Sequence, residues 1–186
     1  MRRSLPRDSR FTPRLSFLVA IVLVAIFSTL GCMAISTHRD RRAETKRSLA
    51  EHRSQQIARL QAYADRGVFP RNFVPGSGPV HMFKDALGTR CAVANLIYLD
   101  GHGDLVDRAA LARNDVIVAD ETSGPLHDWV LSSGLTNEEV RRVQGVLFGF
   151  ENEVPALDER ERERVRTRLR AALVELITNT DTSLEI

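Results

Sequence analysis

Cys91 is the residue of this chain best suited to covalent chemistry. It stands in Gly88-Thr-Arg-Cys-Ala-Val-Ala-Asn-Leu-Ile97, where Thr89 can cap a helix running to about Leu99. A thiol in the first turn of such a helix feels the partial positive charge of the N-terminus, which favours the thiolate. Thiol hydrolysis also requires a histidine within hydrogen-bond reach. His102 lies past the far end of the same helix, about 16 Å along the axis, too far to act as base. His81 would have to fold back from the preceding segment. His127 is the unconstrained choice, so Cys91 with His127 is the catalytic pair the sequence offers for a thiol-dependent hydrolase. Asp128 cannot orient that histidine by adjacency, because neighbouring helical residues point about 100° apart. The competing reading makes Cys91 a small buried hydrophobe, a common fate of free cysteine, and it is the preferred one.

Asp100-Gly-His-Gly-Asp104 places oxygen and nitrogen donors at i, i+2 and i+4. A calcium loop of the EF-hand kind needs a bidentate acid at its twelfth position, which is Leu111 here. Zinc needs three or four convergent ligands. The expectation is therefore no metal and no cofactor, with the glycines making a turn and Asp104 opening a helix. Gly88, Gly101 and Gly103 lack the lysine and spacing of a phosphate-binding loop.

These residues are preceded by a segment that fixes location more firmly than chemistry. Arg2, Arg3, Arg7, Arg10 and Arg14 precede an apolar run from Leu15 to Leu30, and Gly31-Cys32 follows it. From Leu15 to Ile35 the run is 21 residues, roughly 30 Å of helix, enough to cross a bilayer core. Ser28-Thr-Leu-Gly-Cys32 resembles the bacterial lipobox, with Thr29 where that motif prefers Leu. The resemblance implies Cys32 as the lipidated residue and loss of residues 1–31; the alternative is a retained transmembrane helix. The basic head favours a cytoplasmic N-terminus and an extracytoplasmic or periplasmic domain, although Arg39, Arg41, Arg42, Lys46, Arg47 and Arg53 follow the run, diluted by Asp40, Glu44 and Glu51.

Of 186 residues, 26 are Lys or Arg and 24 Asp or Glu, a net charge of +2, too small to imply a polyanionic partner. Nucleic acid is not an expected partner, since the basic cluster has no interleaved aromatics; membrane lipid is, with an envelope protein or polymer as a further one. With Cys32 in the apolar run, Cys91 is left alone and no disulfide staples the fold.

The expected organisation is an anchor over 1–36, a helical stalk over 37–66, a globular domain over 67–150, an amphipathic helix over 151–178 and a frayed tail over 179–186. The fold class is mainly α, an α+β arrangement only through a minor two-stranded element pairing Val80–Phe83 with Val116–Val118. Ala92 to Leu99 is apolar on nearly every side and belongs at the centre. Thr136-Asn-Glu-Glu139 is a capping box. Val165, Leu169, Leu173 and Leu176 form one stripe of the last helix.

Phe83-x-Asp-x-x-Gly-x-x-Cys-Ala-Val-Ala-x-Leu-Ile97, Gly134-Leu-Thr-x-x-Glu139 and Val143-Gln144 together resemble a group of exported and envelope proteins of bacteria to which no activity is attached. The likeness covers roughly residues 60–147. It implies one domain in an envelope setting and transfers no catalytic residue. The expected function is a membrane-anchored envelope protein whose domain is a binding or structural module; an enzyme is the less favoured reading.

Overall fold

Helix-favouring stretches dominate the chain, and the computed structural model is mainly helical. It describes the backbone of residues 13–71, 73–74, 78–79, 81–145 and 159–184, and side chains from Arg39 onward outside the short strands and residues 160–161. The side chains of the expected anchor, Cys32 included, lie outside the described residues, as do Val80, Leu147 and the start of the expected 151–178 helix. Among the described residues no helix is long and apolar enough to cross a membrane.

Helix α1 spans Pro13–Arg66 and stops at Gly67, whose φ of +65° suits glycine. Two units divide the chain, Met1–Thr45 and Lys46–Ile186. In the second, α1 is followed by strands β1 (Phe73–Val74) and β2 (Gly78–Pro79), then α2 (Ala92–Leu99), α3 (Gly103–Ala112), a 3₁₀ turn (Val118–Asp120), α4 (Pro125–Ser133), α5 (Asn137–Gly145), α6 (Glu159–Thr178) and α7 (Thr180–Ser183).

The core gathers Leu60 and Tyr63 of α1, Phe83, Val93, Leu96 and Ile97 of α2, Val106, Trp129, Val140, Val143, and the α6 stripe Val165, Leu169, Leu173 and Leu176. Helix α2 is central, as its all-round apolar surface requires. Burial of Val93, Leu96 and Ile97 contributes about 5–9 kcal/mol before chain entropy is counted.

Three expectations are corrected. The stalk 37–66 is not a solvated rod along its length, because Arg53, Gln56, Leu60, Tyr63 and Ala64 are buried in the second unit. Arg53 and Gln56 continue the stripe of Ile57, Leu60 and Ala64, but their polarity disguises it. The tail 179–186 does not fray at its start: α7 is helical and Leu184 is buried.

The two-stranded element is also elsewhere. Phe73 and Val74 pair antiparallel with Pro79 and Gly78, within a stretch rich in Pro and Gly. Residues 81–84 do lie beside 114–118, where the Phe83 amide donates to the Asn114 carbonyl at 2.6 Å. A ladder does not form because side-chain amides take the place of a neighbouring strand. The Asn114 side chain accepts from Lys84 N (2.9 Å) and donates to Lys84 O (2.8 Å). Gln144 accepts from Val118 N (2.9 Å) and donates to Val116 O (2.8 Å). Buried backbone groups must find partners, and here they find amides from outside the pair.

Gly134 ends α4 at φ +76°, and a Cβ built there would stand 2.3 Å from the Leu49 carbonyl oxygen and 2.8 Å from Arg53 N. Gly101 has φ +88° with open space around it. Gly101→Ala is expected to cost about 1–2 kcal/mol from backbone strain alone, and Gly134→Ala about 2–5 kcal/mol because overlap is added. Urea unfolding of both variants checks this; equal losses would show that the close passage contributes nothing.

Candidate functional site

Cys91 is itself the N-cap of α2, a role expected of Thr89. Its Sγ accepts from the Ala94 amide at 3.4 Å, and its own amide donates to Phe83 O at 3.0 Å. The sulfur belongs to a fully buried residue (0 % exposed), and burial pushes the thiol up to about 12 against the smaller lowering effect of the Ala94 and Val93 amides. Desolvation thus outweighs the helix terminus, opposite to what a nucleophile requires. His127 Nδ1 lies 3.0 Å from the Glu121 carbonyl oxygen. No hydrogen bond joins Cys91 to His127 among the described residues, so the structure does not assemble the dyad.

The turn ahead of Cys91 is equally committed to folding. Asp85 Oδ1 accepts from Leu87 N and Thr89 N at 2.9 and 2.8 Å, and Oδ2 accepts from Arg71 N at 3.0 Å. Gly88 follows at φ +84°. His81 Nε2 lies 3.2 Å from Val116 O and 2.9 Å from Gln144 Nε2. Burial holds this histidine below its ordinary value, against weaker raising effects from Val116 and Asp115.

Asp100 is a junction of helices. Its Oδ2 accepts from Gln56 Nε2 (2.6 Å) and Trp129 Nε1 (2.7 Å), while Arg59 pairs with Oδ1. The carboxylate that could have served a metal loop therefore ties the end of α2 to α1 and α4.

The densest polar cluster of the domain joins Arg53 to Glu139. All five guanidinium N–H groups of Arg53 have acceptors: Nη1 donates to Glu139 Oε2 (2.8 Å) and Gly134 O (3.0 Å), Nη2 to Glu139 Oε1 (2.6 Å) and Leu176 O (2.6 Å), and Nε to Thr180 Oγ1 (3.2 Å). Glu139 also accepts from Thr136 N (2.8 Å) and Ser183 Oγ (2.9 Å), and the expected capping box is present, with Glu139 N donating to Thr136 Oγ1 (3.3 Å). The carboxylate's four acceptor positions are thus filled. A cleft of about 380 Å³ opens beside the pair, lined among others by Glu138, Arg142, Glu175, Asn179 and Thr182. Arg142 spans it, paired with Glu138 (3.2 Å) and with Glu175. Glu139 is legible in the sequence through the capping box; Arg53 carries one signal only, its phase with Ile57 and Leu60.

Comparison of the chain with family models, curated proteins and solved structures finds no match in any of the three.

Burial raises the Glu139 carboxyl, but the Arg53 and Thr136 hydrogen bonds, the Ser183 bond and the Arg53 charge outweigh it, leaving the group below the ordinary 4.5. A group depressed in the fold contributes stability above its unfolded value and loses it as the pH falls. His81, also depressed, acts with the same sign below 6.5. Urea midpoints are expected to decline below pH 6.5 and again below 4.5. Glu139→Gln should shrink the lower step, to which the depressed carboxyls of Asp65 and Asp107 also contribute, and retain the upper one, while costing about 3–5 kcal/mol at pH 7 by leaving Arg53 uncompensated. An unchanged lower step would place that titration elsewhere.

Alkylation of the Cys91-containing peptide by iodoacetamide, followed by mass spectrometry, is expected to be negligible in the native protein at pH 8 and complete in urea. Rapid native labelling below the ordinary thiol range of about 8.5 would restore Cys91 as a nucleophile.

Proposed function

We propose that this chain is a membrane-anchored protein of the bacterial envelope, whose residues beyond the anchor form an extracytoplasmic, non-enzymatic module that binds another envelope protein or an envelope polymer. The observation that carries the proposal is the order of the first 32 residues: arginine-rich head, uncharged run Leu15–Leu30, then Gly31-Cys32. Neither a cytosolic core helix nor a surface helix needs some 20 apolar residues behind a cationic head, whereas insertion does. Anchoring follows either from a retained helix or from acylation at Cys32.

The module reading draws support from what the chemistry-bearing residues do. Cys91 caps a helix from within the core, Asp100 joins three helices, and Glu139 is saturated by its own cap, Arg53 and Ser183. The resemblance to exported bacterial proteins agrees with the same setting, and two of the residues that carry it, Cys91 and Glu139, have these structural roles.

Expression of the full chain in bacteria fed an alkyne fatty acid, with alkaline phosphatase fused after Ile186, tests the proposal. Phosphatase activity and resistance to carbonate extraction are expected. Acyl label lost in Cys32→Ala identifies the lipoprotein route, and carbonate resistance without label identifies the retained helix. A carbonate-soluble, unlabelled chain would overturn the anchor, and an inactive reporter would overturn the extracytoplasmic placement.

A further inference from the structure

Helix α1 continues unbroken from the apolar run into Arg39-Asp-Arg-Arg42. Residues 39–48 are exposed, and among the described residues none of the Arg39, Arg41 and Arg42 guanidinium groups is held in an ion pair. Three exposed cations in one turn, without an ion-pair partner among the described residues, call for an outside counter-charge.

Two geometric facts choose it. The first is distance: at 1.5 Å per residue, Arg39 lies about 6 Å and Arg42 about 10 Å along the axis beyond Ile35. A bilayer's headgroup region extends roughly 5–7 Å beyond the hydrocarbon on each side, and charges remain unscreened for about 8 Å more. The second is direction: relative to Arg39, Arg41 points about 200° and Arg42 about 300° around the helix. A protein groove or an acidic peptide would meet cations on one side, whereas a headgroup layer surrounds a helix that emerges from it. Asp40 occupies the remaining quadrant and leaves the turn at net +2.

We propose that Arg39, Arg41 and Arg42 form a collar on α1 that binds anionic phospholipid headgroups of the leaflet from which the helix emerges. The inference rests on the reading of Leu15–Leu30 as an anchor. It assigns the basic residues after the run to lipid recognition rather than to setting topology.

The test uses the purified full chain in phosphatidylcholine vesicles containing phosphatidylglycerol, with spin-labelled probes of each lipid to measure their relative association with the protein. The wild-type chain is expected to favour phosphatidylglycerol by at least about twofold at low salt, within the roughly fivefold that one basic residue can supply at an anionic surface. Substitution of Arg39, Arg41 and Arg42 together by Gln should remove at least half of that excess, the remainder belonging to the head arginines. Arg41→Gln and Arg42→Gln singly should share the loss. A triple variant with wild-type selectivity, or a loss carried by Arg42 with Arg41 silent, would overturn the collar. A chain that floats with the vesicles but shows no selectivity sinks the collar alone; one that does not float sinks the anchor with it.

Discussion

The domain is organised around the guanidinium of Arg53. One planar group with five donors is satisfied by acceptors from the end of α4, the start of α5, the end of α6 and the first residue of α7. A charge taken out of water is tolerated only when every donor finds a partner, so these four elements must arrive at hydrogen-bond distance together. Gly134 follows from the same demand. Its carbonyl has to reach Nη1 while its Cα passes the α1 backbone, and no room remains for a Cβ. Two residues later Thr136 begins the cap that orients Glu139 toward the same guanidinium. The short segment Gly134–Glu139 thus ends one helix, starts the next and encloses the cation between them.

The motifs that first suggest chemistry are accounted for by folding. Phe83 is core, Asp85 closes a turn on backbone amides, Cys91 caps α2, and Ala92 to Ile97 fill the centre. Cysteine suits that cap because its sulfur can meet an amide while remaining apolar enough for full burial. The helix terminus that would favour a thiolate in water cannot do so where desolvation dominates.

What was legible in the sequence is whatever depends on local pattern. The α6 stripe, the all-round apolar α2 and the capping box at Thr136 each rest on residues within a turn or two of one another. Arg53 and Gln56 were not legible, nor was the role of Gln144. A buried charge or amide looks in sequence like a solvated one, and its partners lie 44 to 127 residues away for Arg53 and Gln56 alone. The expected pairing of 80–83 with 116–118 was right in neighbourhood and wrong in mechanism, since apolar residues show that two segments meet but not which groups satisfy their backbones.

The amides of Asn114 and Gln144 carry a consequence for association with other chains, since among the described residues Cys91 is a free thiol and no disulfide holds these segments. An extended segment with open N–H and C=O groups is a template for strand addition by a second molecule. Here Lys84 N and O, Val116 O and Val118 N are already occupied by side chains anchored within the same domain. Those segments keep the extended shape their apolar residues need, yet present an invading strand with sites already filled. Two carboxamide side chains therefore occupy four backbone groups that edge-to-edge pairing would otherwise engage.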